Sequence, residues 1–215
     1  MTNDIKYRLW LSEQLGRTTI KNLKHHGFNA CFAVDAKEAR QLVLKEVSKD
    51  ESFGFGGSST TRALGLPEIL SGMGKTVYDH WNPGKENSDL DLRLAQGRCD
   101  CFICGANAIS ATGEIVNVDG VGNRVCAMIF GCPRVVIIAG MNKVRKTLDS
   151  ALARIREIAG PMRAKSLNMD TPCAKTGICV DCDSPQRICC VTAILHRKPM
   201  MTDVSVILVN SELGF

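Results

Sequence analysis

The chain is 215 residues long, 45% hydrophobic, 23% charged and only 5% aromatic, with a net charge of +5. That length allows one domain with a sizeable, mainly aliphatic core. The modest charge, without a Lys/Arg block or interleaved aromatics, argues against nucleic acid as a partner, and the longest wholly apolar run, residues 135–140, is far too short for a membrane span. Eleven cysteines, an odd number, stand in a sequence whose first residues have no signal-peptide core. A reducing, cytoplasmic setting is therefore expected, in which thiols serve metals or chemistry rather than disulfides.

Taken in order, residues 4–26 space Ile5, Leu9, Leu15, Ile20 and Leu23 as on one helix face, with Gly27 as the stop and Gly16 as a candidate break. Residues 1–27 thus form an N-terminal helical segment, and Lys21, Lys24, His25 and His26 read as its solvated face. Residues 28–34 form a short strand. Asp35, with Glu38 three positions on, opens a helix through Ala39, Leu42, Val43 and Val47. The strand 52–55 runs into a glycine-rich turn, and a helix continues towards Leu70. Strand 76–78 ends at Asp79, residues 80–87 make a polar loop with a Pro-Gly turn, and Ser88 caps a helix to Gly97. Strand 99–104, loop 107–113, strand 114–118 and helix 125–130 follow. Residues 135–139 are the clearest buried parallel strand, and 143–159 read as the longest amphipathic helix. A basic linker (161–168), a cysteine-rich loop (171–190) and a strand (191–195) lead to a final strand, 204–209. That last strand either pairs with 191–195 or enters the main sheet. The alternation predicts an α/β fold with an open, mainly parallel sheet in a single domain spanning 1–215.

Three stretches carry polar chemistry. Gly56, Gly57, Ser58, Ser59, Thr60 and Thr61 follow a strand and open a helix, where backbone N–H groups and hydroxyls can receive an anion; the alternative is a tight capped turn. A dinucleotide fingerprint completed by Asp79 would need glycine where Ser59 stands. In the second stretch Asn107, Glu114, Asn117, Asp119, Asn123 and Arg124 flank a glycine-rich strand-to-helix turn. Arg124 suits a carboxylate, with Asp119 or Glu114 as a base; alternatively Asp119 caps the helix and pairs with Arg124 on the surface. The third stretch is Cys173-x5-Cys179-x2-Cys182-x6-Cys189, with Cys190 adjacent. Its spacing matches neither ferredoxin runs nor two-knuckle zinc sites. An iron–sulfur cluster on Cys173, Cys179, Cys182 and Cys189 (or Cys190) is the preferred reading, with structural zinc as the alternative. Strand alternation places Cys99 and Cys101 on one face and Cys104 on the other. Cys31, Cys126 and Cys132 read as packing residues.

The blocks FGFGGSSTT from Phe53, GANAI from Gly105, GEIVNVDGVGNRV from Gly113, PRVVIIAGMNK from Pro133 and TDVSVILVN from Thr202 resemble the lactate-utilisation (LUD) domain family from about residue 5 onward. Within it, TPCAKTGICVDCDSPQRIC from Thr171 resembles a single-domain subgroup with a cysteine-rich tail. The resemblance implies a sugar-isomerase/CoA-transferase type of α/β fold and a link to iron–sulfur-dependent oxidation of a small 2-hydroxy carboxylate. Its partners would be the anionic substrate and electron-transfer proteins, and fold analogy suggests a homo-oligomer. Two alternatives are a non-redox enzyme whose 4Fe-4S cluster acts as Lewis acid in elimination or isomerisation, and a zinc-stapled binding or regulatory module.

Overall fold

The computed structural model of the chain describes residues 3–83 and 88–215, so part of the loop expected at 80–87 lies outside the described residues. The first helix, α1 (Asn3–His25), is continuous and is the longest in the described structure. Gly16 does not break it. A Cβ at that position would lie 2.4 Å from the Phe32 ring, so the glycine lets α1 settle directly on the strand carrying Phe32.

That strand, β1 (Asn29–Ala33), leads through the expected cap into α2 (Ala36–Glu46). Asp35 accepts from the Glu38 N–H at 2.8 Å, satisfying one orphan donor of the helix start, while Glu38 reaches back past the cap to accept from the Val34 N–H at 2.7 Å. The chain continues through β2 (Ser52–Phe55), the short α3 (Ser59–Ala63), α4 (Leu66–Gly72), β3 (Thr76–Asp79), α5 (Asp89–Gln96) and β4 (Cys101–Gly105). Residues 107–113, expected as a loop, contain β5 (Ala108–Ser110), which pairs antiparallel with β6 (Ile115–Asp119). Helix α6 (Asn123–Ile129) and strand β7 (Arg134–Gly140) follow.

The stretch 143–159 is not one helix. A 3₁₀ turn (Met141–Lys143) ends in the short strand β8 (Val144–Arg145). Helix α7 (Leu148–Arg154), a π-helical turn (Ile155–Ala159) and α8 (Gly160–Ser166) then form a continuous rod. Residues 161–168 are therefore mostly helix rather than linker. Pro161 has no N–H and its ring crowds the carbonyl four residues back, so a locally widened register accommodates it inside a helix. The rest comprises α9 (Pro172–Thr176), β9 (Val191–Leu195) and β10 (Asp203–Val209).

Six strands form a parallel sheet in the order β1-β10-β7-β4-β2-β3, so the last strand enters the main sheet between β1 and β7. Its two faces carry separate aliphatic cores. Phe102, Cys104, Ile137 and Leu208 lie on one; Phe53, Ile103, Val136, Ile138 and Leu70 lie on the other. Each buried aliphatic of this kind contributes on the order of 2–5 kcal/mol against truncation to alanine. The cysteine faces differ from simple alternation. Cys99 precedes β4 and packs with Cys104, whereas Cys101 faces the opposite core. A second sheet, β8-β5-β6-β9, packs on α7 through Ala108, Val116, Ala151 and Ile155. Among the described residues no helix is long and apolar enough to cross a membrane.

Candidate functional site

A cavity of about 440 Å³ opens where the carboxyl ends of the parallel strands meet the small sheet. Gly57, Ser58 and Ser59 reach it after β2, His80 and Trp81 after β3, Gly105 and Asn107 after β4, and Lys143 after β7. Ligands of open α/β sheets sit at this edge because loops there diverge and leave a crevice.

The glycine-rich turn works differently from an anion cradle. Gly56 makes room for the Arg124 stem, whose Cδ would lie 3.2 Å from an added Cβ, and Gly57 makes the same room for the Trp81 indole. Ser58 Oγ accepts from the Thr61 N–H at 3.3 Å, and Thr61 Oγ1 donates to Ser58 O at 3.0 Å. Thr60 and Thr61 are fully buried, and of the six expected residues only Gly57, Ser58 and Ser59 line the cavity.

Asp119 and Arg124 stand at its centre as a buried pair rather than a surface one. Asp119 Oδ1 accepts from Arg124 Nε at 2.8 Å and Nη2 at 2.6 Å, while Oδ2 accepts from the Val125 N–H at 3.0 Å. Arg124 Nη2 also donates to Asn107 Oδ1 and Val118 O. Both Asp119 oxygens are thus occupied, which suits a carboxylate that positions Arg124 and caps α6 better than one that takes a proton. Removing one partner of such a buried pair typically costs about 3–5 kcal/mol. The Arg124 edge that would grip a substrate carboxylate bidentately is committed to Asp119. Asn123 faces the cavity with Oδ1 accepting from Arg93 Nη1 at 3.1 Å.

Glu114 is not part of this constellation. It lies at the far end of β6, bonded to Thr112 Oγ1 at 2.5 Å and absent from the cavity lining. Partial burial pushes its pKa up, but the Thr112 and Ser110 hydroxyls together hold it below the usual glutamate value.

Lys143 escaped the sequence reading because its position looked like the start of a surface helix. The 3₁₀ turn after β7 instead tucks it under the cavity floor, 4% exposed, with Nζ donating to Thr60 Oγ1 at 2.9 Å. Burial, then the charges of Arg154 and Arg124, lower its pKa to about 7. Arg154 is also buried, donating to Asn107 O at 2.6 Å and Asn142 O at 3.1 Å, and burial followed by Arg145 lowers its pKa to about 10. From α8, Arg163 reaches the cavity with its guanidinium 4.7 Å from the Trp81 ring centroid.

A second cavity, about 360 Å³, is lined by Cys173, Cys179, Cys182 and Cys189 together with Arg156, Asp181 and Arg187. The cysteine loop therefore folds so that the four thiols expected from spacing face one space. Cys190 is exposed, its Sγ donating to Arg187 O at 3.4 Å, and it is not in that lining. Burial raises the Cys189 pKa, Arg187 opposes this, and Cys179 and Cys182 raise it further. Among the described residues no three His, Cys, Asp or Glu side chains converge closely enough to hold a single metal ion. The loop docks on the site: Cys190 N–H donates to Asp119 O at 2.9 Å, and Gly120 abuts Ile188. Val118, Ile155, Gly160, Ile188 and Cys189 line both cavities and form the wall between them.

A family model described as the LUD domain matches residues 16–209. The chain belongs to the LUD domain family. Among solved structures this LUD domain resembles a crystal structure of a DUF162 family protein from Deinococcus radiodurans, with a TM-score of 0.54 and 13% identity over 92% of this chain and 98% of that one. At that identity the likeness speaks for the fold alone. No curated protein matches the LUD domain described here.

Proposed function

We propose that the protein is an iron–sulfur protein of the lactate-utilisation type, acting in the oxidation of a small 2-hydroxy carboxylate. The observation that carries this reading is the shared wall: a cavity lined by four cysteines adjoins a cationic cavity through Val118, Ile155, Gly160, Ile188 and Cys189. The donor set fits such a group. Four cysteines line one space, and thiolates are the usual ligands of iron–sulfur clusters. Cys173, Cys179, Cys182 and Cys189 would hold it, and when bound it would supply one-electron transfer or a Lewis-acid iron.

The chain's own residues bind and orient the substrate. Lys143 Nζ and the Nη1 side of Arg124 receive its carboxylate, and Ser59 and Asn107 lie on the same lining. With a pKa of about 7, Lys143 Nζ keeps a substantial ammonium fraction near neutral pH to hold that carboxylate. Asp119 keeps Arg124 in place through its Nε and Nη2.

The same wall favours a second reading, a non-redox elimination or isomerisation at a Lewis-acid cluster, because Cys189 alone of the four thiols lines both cavities. Anaerobic purification with iron and acid-labile sulfide quantification tests both. Iron and sulfide in similar amounts are expected, lost in Cys189→Ser and retained in Cys190→Ser. One equivalent of zinc without iron would remove both readings and leave a zinc-stapled binding module. A 2-hydroxy acid that bleaches the cluster absorption favours the redox reading; one that shifts it without bleaching favours the second.

A further inference from the structure

The cationic cavity carries more positive charge than one carboxylate neutralises. Its lining holds Arg93, Arg124, Lys143 and Arg163 against a single acidic side chain, Asp119. Arg124 is compensated by Asp119, and Arg93 by Asp89 at 2.8 Å. Lys143 and Arg163 have no carboxylate within ion-pair distance among the described residues, their side-chain partners being Thr60 and Ser166. The nearby Arg154 is buried on carbonyl oxygens alone, which adds to the positive field. Uncompensated charge held away from water is expensive and persists where a ligand of opposite sign completes it.

Size points the same way. The cavity, about 440 Å³ and partly open to solvent, is in the range that holds ligands larger than a three-carbon acid. The two uncompensated cations also sit on different elements, Lys143 on the floor after β7 and Arg163 on α8 beside the Trp81 ring.

We propose that the ligand of this cavity carries two anionic groups, one a carboxylate seated at Lys143 and Arg124 and the other, carboxylate or phosphate, held by Arg163 beside Trp81. This rests on the reading of the cavity as a 2-hydroxy-acid site and narrows its substrate class to acids larger than lactate. Trp81 fixes the reach of Arg163: the guanidinium lies over the ring, so its free edge is presented at a set distance from Lys143 instead of sweeping through solvent.

The test is calorimetric titration of the full-length protein, at fixed ionic strength and pH 7, with lactate, malate and 3-phosphoglycerate. Malate, with two charges, or 3-phosphoglycerate, with nearly three at pH 7, should bind about tenfold or more tightly than lactate, the scale of one added charge-assisted contact; which of them loses more in Arg163→Gln separates a carboxylate from a phosphate at the distal position. Arg163→Gln should remove that advantage and leave lactate within about twofold, Arg163→Lys should restore part of it, and Lys143→Met should weaken all three ligands. Lactate binding as tightly as both malate and 3-phosphoglycerate, neither of those two binding at millimolar concentration, or an unchanged ratio in folded Arg163→Gln would overturn the proposal. Iron is assayed in the same samples. The expected preference over lactate in iron-free protein would leave this inference standing and remove the iron–sulfur reading, so the two fail separately.

Discussion

At the residue scale the centre of the site is Lys143, and its consequences are set by sign. The folded pKa of about 7 lies below the unfolded 10.5, so between those values the unfolded chain binds more protons and this residue's contribution to stability rises with pH. Ligand binding runs the other way, because an anion wants the ammonium. Affinity for malate should be highest near pH 6 and fall by about tenfold or more towards about pH 8.5, as the lysine loses its charge. Of the groups facing Lys143, Arg154 is lowered only to about 10 and burial pushes the Cys104 thiol up to about 12, so neither titrates in this range. His80, also on the lining, has its pKa lowered by burial and by Arg93, which moves its titration towards the acid side. Calorimetry across that range checks the slope, and Lys143→Met should bind weakly with a flat profile. A slope surviving in Lys143→Met would assign the titration elsewhere.

Residue types told part of this in advance. Asp119, Arg124 and Asn107 stood out because polar residues cluster at a glycine-rich turn, and the four cysteines because no local structure explains their density. The roles were harder to read. Asp119 looks like a base until its oxygens are counted against Arg124 and Val125 N. Glu114, five positions earlier, sits at the other end of the same strand, a separation that strand rise makes inevitable. Nothing local marks Lys143 as buried, since its burial comes from Thr60 and the residues around Gly214 closing over it.

At the scale of elements, most strands were legible because each is a short apolar run between turn signals, while the rod 148–166 was not. Helical periodicity assumes one register, and the π-helical turn at Ile155–Ala159 changes it midway. Pro161 reads as a terminator in sequence, yet here the chain stays helical through it by widening the turn before it. That turn has a use: Ile155 and Gly160, at its ends, both belong to the wall between the cavities. Pro161→Ala restores an N–H donor and permits ordinary α-helical register across the rod. The melting temperature should stay level or rise, while malate affinity drops several-fold as Ile155 rotates away from the wall, an effect on the order of 1 kcal/mol. Unchanged affinity with a higher melting temperature would show that the widened turn serves only the proline.

On the scale of the whole molecule, stability and chemistry sit in different places. The six-stranded sheet carries both large aliphatic cores, with β7 and β10 buried along nearly their whole length. The cysteine loop is built the opposite way. Between residues 172 and 190 only Ala174 is buried among hydrophobics, while Ile178 and Val180 are exposed. Backbone pairing of β9 with β6 fixes its C-terminal end, and the Cys190–Asp119 bond ties it to the site. What lies between has little apolar burial to offset its ordering entropy, and a group held by the thiols, as proposed, would supply that ordering. In Cys179→Ser/Cys182→Ser the sheet should remain folded, with a near-native circular dichroism spectrum and a melting temperature within a few degrees. Limited proteolysis should nevertheless cut the variant within 174–189 at least about tenfold faster than the anaerobically purified parent, because that local segment would open at low free energy. Equal cleavage rates would mean the loop is held by polypeptide contacts alone, and the case for a bound cluster would lose its structural rationale.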